Sequence, residues 1–169
     1  MGSSHTLKQV ERSVDAIRSV AKENHAEIEA VRRLFLEYAT DLGEDLCFQG
    51  FEQELADLPG AYAPPDGRLL LAIADDQPIG CVALRKLEES ICEMKRLYVH
   101  AGFRRTGVGK RLAEAIIREA RDIGYQRMRL DSLERLKEAA APYRSLGFIE
   151  IPPYRYNPLP GAVFMELVL

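Results

Sequence analysis

The sequence contains no tryptophan, and only three cysteines and three histidines occur among its 169 residues. Cys47, Cys81 and Cys92 are odd in number and lack the close paired spacing of a zinc site. We therefore expect reduced thiols, as in a cytoplasmic protein, rather than a disulfide framework. The histidines are far apart in the chain, so no catalytic or structural metal is expected.

Charge of one sign and long apolar runs are also scarce. The formal net charge is only −3 at pH 7, and a nucleic-acid partner is not expected because neutralising phosphates requires a basic face. The longest apolar run, Leu69–Ala74, is much shorter than the ~18 residues of a membrane span. No stretch has the pattern of a secretory signal peptide, so we expect a cytoplasmic protein with no membrane partner.

Length and composition favour one folded domain. A chain of 169 residues with 47 % hydrophobic and 29 % charged residues can bury a substantial core. We expect a single domain over residues 1–169, in which residues 1–13 form an additional or flexible segment before the first regular element.

Strand and helix patterns alternate along the chain. Strand patterns occur at Val14–Val20, Arg68–Ala74, Ile79–Lys86, Ile91–Val99, Arg127–Asp131, Phe148–Ile151 and Ala162–Leu169. Helical periodicity occurs at Ile28–Leu42, Phe51–Leu58, Val108–Ile123 and Leu133–Tyr143. Because hairpins and crossover helices are both present, the pattern predicts an α/β fold with a mixed, mostly antiparallel central sheet of about seven strands and flanking helices.

Capping residues set the predicted starts of two helices. Asn24 and Glu27 are spaced like a capping box before the first helix. Asp131 and Glu134 have the same spacing before the fourth helix, and Pro142 predicts a bend or a restart within it.

The segment Arg104–Lys110, with the sequence Arg-Arg-Thr-Gly-Val-Gly-Lys, is the strongest functional signal. It follows the strand pattern Ile91–Val99 and opens the helix pattern Val108–Ile123. Glycines allow the backbone to approach a ligand closely, and the unpaired N–H groups at a helix start favour an anion. The segment therefore predicts a phosphate-binding turn.

Two common phosphate motifs do not fit this segment. A Walker A loop needs a glycine where Arg104 stands and a serine or threonine where Arg111 stands. A Rossmann motif needs a third glycine, at the position of Leu112. A nucleotide kinase, an ATPase and a dinucleotide-binding domain are therefore disfavoured.

The segment does fit the pattern Arg/Gln-x-x-Gly-x-Gly/Ala, through Arg104, Gly107 and Gly109. Together with the blocks Glu93–Val99 and Tyr143–Phe148, in this order and at these intervals, it makes the chain resemble the GCN5-related N-acetyltransferases over nearly its whole length. The resemblance implies an acyl-CoA N-acyltransferase fold, acetyl-CoA as co-substrate, and an amine on a small molecule or peptide as acceptor.

The resemblance also implies where coenzyme A binds. Its pyrophosphate is expected at the turn and the helix start, on backbone N–H groups and basic side chains. The residues concerned are Arg104, Arg105, Thr106, Gly107, Val108, Gly109 and Lys110. The pantetheine arm is expected to pair with the backbone of Leu97, Tyr98 and Val99, where the sheet opens between Ile91–Val99 and Arg127–Asp131.

Tyr143 occupies the position of the family's usual general acid, and the resemblance implies that it protonates the departing thiolate. A core tyrosine is the other interpretation of this position. A backbone N–H near Leu97–Val99 is expected to stabilise the oxyanion.

Glu93 stands where some relatives have a catalytic glutamate. Strand alternation places it on one sheet face with Lys95, Leu97 and Val99. It is expected to point either into the acceptor cleft or towards solvent, so a role as the base and a role as an exposed strand residue both stay open.

The acceptor is expected between two segments, Thr40–Phe51 and Pro152–Gly161. The first has acidic residues that would attract a cationic amine, namely Asp41, Glu44 and Asp45. The second has Tyr154, Arg155 and Tyr156, which would wall a pocket or bind a carboxylate. Ordinary surface positions are the alternative for both groups.

Three alternatives remain open at this level. A non-catalytic module that senses acyl-CoA is the alternative to an enzyme, and a longer acyl group is the alternative to acetyl. The last strand, Ala162–Leu169, is a candidate edge through which two copies would form a homodimer.

Overall fold

The computed structural model describes residues 13–169, the side chains of residues 137–140 excepted. The predicted N-terminal segment therefore lies, except for its last residue, outside the described residues. The strands are β1 Ala16–Ser19, β2 Arg68–Ala74, β3 Gln77–Glu88, β4 Ile91–Val99, β5 Arg127–Leu133, β6 Ile149–Ile151 and β7 Ala162–Val168. The α-helices are α1 His25–Leu42, α2 Phe51–Asp57, α3 Val108–Ile123 and α4 Lys137–Ser145.

The strands form one seven-stranded sheet in the order β1-β2-β3-β4-β5-β7-β6. Only the β4–β5 pair is parallel, and α3 provides the crossover between these two strands. The predicted mixed, mostly antiparallel sheet is confirmed. The prediction that the last strand is an edge is wrong, because β6 folds back on β7 through the segment Pro152–Gly161, and β1 and β6 are the edges.

Helices cover both faces of the sheet. The apolar stripe of α3, with Leu112 and Ile116 fully buried, packs with α4 on one face. The apolar stripe of α1, with Val31 and Phe35 fully buried, packs with α2 on the other. This two-sided burial explains the continuous apolar run of β2.

The predicted first cap is confirmed and the second is wrong. The Asn24 side chain accepts a hydrogen bond from the Glu27 N–H at 3.1 Å, at the start of α1. Asp131 and Leu133 instead lie within β5, because this strand pairs with β7 as far as Leu133. A short 3₁₀ turn follows β5, and α4 then continues through Pro142 to Ser145. Of the predicted bend or restart at Pro142, the restart does not occur.

The sheet opens between β4 and β5, as the resemblance implies. The two strands pair only from Ile91 to Glu93, although β4 continues to Val99. Beyond Glu93, no strand of residues 13–169 pairs with the edge of β4 that faces β5.

A β-bulge in β4 lies beside this opening. Arg96 and Leu97 both face the single β3 residue Val82, and Arg96 has a φ of +58°. The bulge moves the following residues to the opposite face, so Leu97 and Val99 pack towards α3 while Lys95 faces the α1–α2 side. The prediction that Glu93, Lys95, Leu97 and Val99 share one face is therefore wrong.

Among residues 13–169, no helix is long and apolar enough to cross a bilayer. The same residues contain no group of three or more His, Cys, Asp or Glu side chains arranged to hold a metal ion.

Candidate active site

Among the described residues, the first turn of α3 leaves backbone N–H groups outside the hydrogen bonds of the helix. Arg105 and Gly107 both have left-handed backbone conformations, with φ of +64° and +83°, and α3 begins at Val108. The first hydrogen bond of α3 joins the Arg111 N–H to the Gly107 carbonyl at 3.1 Å. The N–H groups of the first turn precede this bond and are available to an anion.

The two glycines of the turn are under different structural constraints. Gly107 is required by its positive φ, which a side chain adopts only with strain. Gly109 has no such φ, and a Cβ there would approach only Val99 Cγ2, at 3.7 Å. Protein packing does not require a glycine at Gly109, which leaves its open side free for close approach of a ligand.

The Arg104 side chain is directed away from the turn. Its Nε donates to the Val99 carbonyl at 3.0 Å, and its Nη2 pairs with the Asp41 carboxylate of α1. The guanidinium also lies 5.5 Å from the centre of the Tyr98 ring. Arg104 therefore ties the turn to β4 and α1, whereas the Lys110 side chain is exposed beside the N–H groups.

A pocket lies where β4 and β5 separate. It is small and partly open to solvent. Its walls come from α1, the α1–α2 connection, β4, β5, α4 and the β6–β7 loop. The lining residues are Tyr38, Leu42, Leu46, Gln49, Met94, Lys95, Arg96, Leu97, Leu130, Asp131, Ser132, Leu133, Leu136, Tyr143, Asn157 and Leu159.

Tyr143 reaches this pocket from α4. Its ring is buried and packs edge-on against Phe148, with 5.8 Å between the ring centres. Burial raises the pKa of Tyr143, so its phenol keeps its proton at neutral pH. A protonated phenol and the β4 backbone at Leu97 thus line the same pocket.

Glu93 is fully buried on β4. One of its oxygens accepts from Arg85 at 2.8 Å, and the other accepts from the Tyr154 hydroxyl at 2.6 Å. Lys95 and Arg155 complete its surroundings, at 3.9 and 3.5 Å. The prediction of an exposed strand glutamate is wrong, and Glu93 lies behind the pocket wall rather than in it.

Lys95 is the buried cation that lines the pocket. Its Nζ donates to the Gln49 side-chain oxygen at 2.9 Å, and only 5 % of the residue is exposed. Burial lowers the pKa of Lys95 to about 7; Arg96 acts in the same direction, and the carboxylate of Glu93 opposes the shift. Strand alternation predicted for Lys95 only a place beside Glu93. The signal that could have identified it was a group of three charged residues, Glu93, Lys95 and Arg96, inside a strand whose other residues are apolar or aromatic.

Asp131 lies opposite Lys95, on β5. The Arg155 Nη2 donates to both of its oxygens, at 2.8 and 2.9 Å, and the Asn157 side chain donates to one of them at 2.9 Å. Burial alone would raise the pKa of Asp131, but Lys95, Arg155 and Asn157 outweigh burial and lower it. Asp131 is therefore an anion that fixes the β6–β7 loop against the pocket.

The two predicted acceptor segments both contribute to the pocket, although by other residues than expected. Gln49 comes from the first segment and Asn157 from the second. In the first segment, Asp41 pairs with Arg104, Glu44 pairs with Arg135 at 2.9 Å, and Asp45 accepts from the Cys47 N–H at 2.9 Å. These carboxylates have partners within the chain.

The three residues singled out in the second segment differ in their surroundings. Tyr154 and Arg155 bind the buried carboxylates of Glu93 and Asp131, respectively. The Tyr156 side chain is 77 % exposed. Tyr154 and Arg155 thus support the pocket from behind, and Tyr156 faces solvent.

Residues 19–148 match the model of the acetyltransferase (GNAT) family. An uncharacterized N-acetyltransferase of Schizosaccharomyces pombe is 38 % identical over 143 residues, which span 83 % of this chain and 88 % of that protein. An uncharacterized N-acetyltransferase of Dictyostelium discoideum is 32 % identical, over 87 % of this chain and 97 % of that protein.

Solved structures share the fold. A GNAT-family acetyltransferase of Staphylococcus aureus superposes with a TM-score of 0.72 at 21 % identity, covering 89 % of this chain and 98 % of the other. The PaiA N-acetyltransferase of Thermoplasma acidophilum, solved in complex with coenzyme A, superposes with a TM-score of 0.67 at 19 % identity, over 91 % and 98 % of the two chains.

Proposed function

The chain belongs to the acetyltransferase (GNAT) family, and we propose that it transfers the acetyl group of acetyl-CoA to a primary amine by direct attack within a ternary complex. One observation carries this proposal. The separation of β4 from β5 brings a buried phenol, an unpaired strand edge and a pocket together beside the glycine turn of α3.

Acetyl-CoA would bind along the opening. The pyrophosphate would accept hydrogen bonds from the N–H groups between Arg105 and Lys110, helped by the dipole of α3 and the Lys110 charge. The pantetheine amides would pair with the backbone of Leu97, Tyr98 and Val99, where β4 has no strand partner on the β5 side. The PaiA protein, which has the same fold, was solved with coenzyme A.

The thioester carbon would lie at the bulge, between Leu97 and Tyr143. A backbone N–H of Leu97–Val99 would donate to the oxyanion that forms when the amine attacks. As the carbon–sulfur bond breaks, Tyr143 would give its proton to the thiolate as the general acid. A phenol is protonated at neutral pH, as this role requires; burial raises the pKa of Tyr143, which keeps the proton in place until the thiolate forms.

Glu93 would assist the removal of a proton from the acceptor amine. Both of its oxygens are engaged, by Arg85 and Tyr154, and it is fully buried. Its negative charge would therefore favour proton uptake through a neighbouring group rather than by direct contact with the amine.

The acceptor would enter between the α1–α2 connection and the β6–β7 loop. Residues of both segments line the pocket, including Gln49 and Asn157. We propose a small-molecule or peptide amine as the acceptor, and the cytoplasm as the compartment in which the protein works.

The test is CoA release from acetyl-CoA across a panel of primary amines, followed by chromatography of free CoA. Panel members are a polyamine, an amino acid, an aminoglycoside and a peptide with a free N-terminus. We expect amine-dependent release with the wild type and a large loss of turnover in Tyr143→Phe, with CoA affinity retained. CoA binding without release by any amine would identify a non-catalytic acyl-CoA sensor instead.

A further inference from the structure

We propose that the Lys95 amine accepts the proton that the acceptor ammonium must lose before it attacks the thioester. This inference rests on the proposed acetyl transfer and adds a catalytic residue to it. The carrying observation is the position of Lys95 on the acceptor side of the bulge, in the wall of the pocket that Tyr143 also lines.

Because of the bulge, the Lys95 side chain lies near the position proposed for the thioester carbon. Lys95 precedes it and faces the α1–α2 connection, where its Nζ contacts Gln49. Leu97 follows it and leaves its backbone beside the open strand edge. An amine entering past Gln49 would thus meet the Lys95 Nζ before it reached the thioester carbon.

The hydrogen-bonding state of Lys95 also fits a proton acceptor. An ammonium offers three donors, yet within the described part of the chain its Nζ makes one hydrogen bond, to Gln49. The nearest Glu93 oxygen is 3.9 Å away, which is an ion-pair distance and too long for a hydrogen bond. A neutral amine would satisfy Gln49 with one N–H and direct its lone pair to the pocket.

Charged groups from several elements set the proton affinity of Lys95. Those that face it are Glu93 and Arg96 from β4, Asp131 from β5 and Arg155 from the β6–β7 loop. Burial and the two arginines favour the neutral amine, whereas the two carboxylates favour the ammonium. These opposed effects suit a group that takes up and releases a proton near neutral pH.

The two carboxylates near Lys95 are less suited to accept the proton of the acceptor ammonium. The two oxygens of Glu93 are engaged by Arg85 and Tyr154, and those of Asp131 by Arg155 and Asn157. Glu93 is not among the residues that line the pocket, and the lowered pKa of Asp131 makes this carboxylate a weak proton acceptor. Glu93 is then a positioning residue, which stabilises the Lys95 ammonium once it forms.

Bonds and protons balance over the steps of the proposed reaction. The acceptor ammonium gives one proton to the Lys95 Nζ, and the resulting amine forms a bond to the thioester carbon. The carbon–sulfur bond then breaks, and the thiolate takes the proton of Tyr143. The second proton of the nitrogen restores the Tyr143 phenol as the amide forms, and Lys95 releases its proton to solvent through the open pocket.

A titration that needs no acceptor tests the charge state. The full chain is labelled with ¹³C at the lysine Cε, and the Lys95 signal is identified by its absence in Lys95→Arg. We expect its NMR midpoint near pH 7. A midpoint above about pH 9 would overturn the proposal, because the side chain would then be charged at neutral pH.

Kinetics test the catalytic role. With an amine that the wild type acetylates, kcat/KM is measured from about pH 5 to about pH 10 for Lys95→Met, Lys95→Arg and the control Lys86→Met, which changes an exposed lysine on β3. The wild type and the control should lose rate below about pH 7. Lys95→Met should lower kcat/KM by about 100-fold near neutral pH, where the acceptor is an ammonium, and this loss should shrink at alkaline pH as the acceptor loses its proton to solvent. CoA affinity should be unchanged in calorimetry.

Lys95→Arg separates proton transfer from charge. Arginine keeps the positive charge but does not accept a proton, so this variant should be as inactive as Lys95→Met. N-Methylmorpholine, a tertiary amine that forms no stable amide, should restore turnover to Lys95→Ala. Near wild-type activity of Lys95→Arg would overturn the proposal and make Lys95 an anion-binding residue.

The kinetic results distinguish a failure of the proposed acetyl transfer from a failure of the proposed role of Lys95. If no amine releases CoA with the wild type, acetyl transfer and the role of Lys95 both fall. If the wild type turns over and Lys95→Met has wild-type kcat/KM near neutral pH, only the role of Lys95 falls.

Discussion

The Arg96 guanidinium donates two hydrogen bonds, at 2.8 and 3.2 Å, to the Glu54 carboxylate on α2. Arg96 is also the left-handed residue of the β4 bulge, and its side chain is only 2 % exposed. Its guanidinium lies 5.0 Å from the centre of the Phe51 ring, so α2 encloses the pair. The bulge that forms the candidate site is therefore fixed by a helix 42 residues away in sequence.

Glu54→Gln should destabilise the protein markedly. The variant leaves the Arg96 charge buried without its counter-ion, and breaking such a pair costs about 3 kcal/mol of unfolding free energy. Urea denaturation measures the change, and the control is Glu52→Gln, an exposed position on the same helix. A loss no larger than that of the control would mean that the pair does not hold α2 against the bulge.

Acid should reduce the difference between wild type and Glu54→Gln. Arg96 and the Tyr62 hydroxyl lower the pKa of Glu54 even though burial acts in the opposite direction. The ionised carboxylate therefore contributes stability that is complete above the ordinary pKa of a glutamate and is lost as pH falls through the lowered value. Unfolding free energies measured from neutral to acid pH should converge, and a constant difference would contradict the assignment.

Tyr154→Phe and Tyr156→Phe should differ, although the two residues are near neighbours on one loop. The Tyr154 hydroxyl donates to buried Glu93 at 2.6 Å, whereas the Tyr156 side chain is 77 % exposed. Removing the Tyr154 donor should lower the unfolding free energy by about 1–2 kcal/mol, because a buried carboxylate oxygen loses its partner. The same change at Tyr156 should have almost no effect in thermal denaturation. Equal effects at the two positions would contradict this geometry.

Local signals in the sequence were sufficient for the elements around the cofactor turn. β4 and α3 have the predicted bounds, Ile91–Val99 and Val108–Ile123, because their periodicity is clear and glycines mark the turn between them. The opening between β4 and β5 was inferred from the family resemblance, since it depends on how two distant strands separate.

Contacts between distant residues decided what the sequence did not predict. The bulge depends on the register of β3 against β4 and on the Arg96–Glu54 pair, so simple alternation failed at Leu97. The Asp131 cap failed because pairing with β7 extended β5. The burial of Lys95 depends on its contact with Gln49 and on its place in the pocket wall beside β5, both of which are long-range contacts.

Alanine substitutions at the two glycines of the turn should separate an effect of backbone strain on stability from an effect of ligand access on CoA affinity. Gly107→Ala should lower the unfolding free energy by about 1–2 kcal/mol, because its φ of +83° strains a residue with a Cβ. The matched control is Gly124→Ala, at the other end of α3, where φ is +108° and the added Cβ also meets no atom within 4 Å. It should show a similar loss of stability with no change in CoA affinity.

Gly109→Ala should leave the stability unchanged and weaken CoA binding. Its Cβ would make only an ordinary contact, 3.7 Å from Val99 Cγ2, and alanine favours the helix, so stability should be retained. The methyl group would instead block approach of the pyrophosphate to the N–H groups, and CoA should bind about tenfold more weakly, equivalent to about 1.4 kcal/mol. Calorimetry with CoA measures this loss. Wild-type affinity in Gly109→Ala would show that the pyrophosphate does not lie against the first turn of α3.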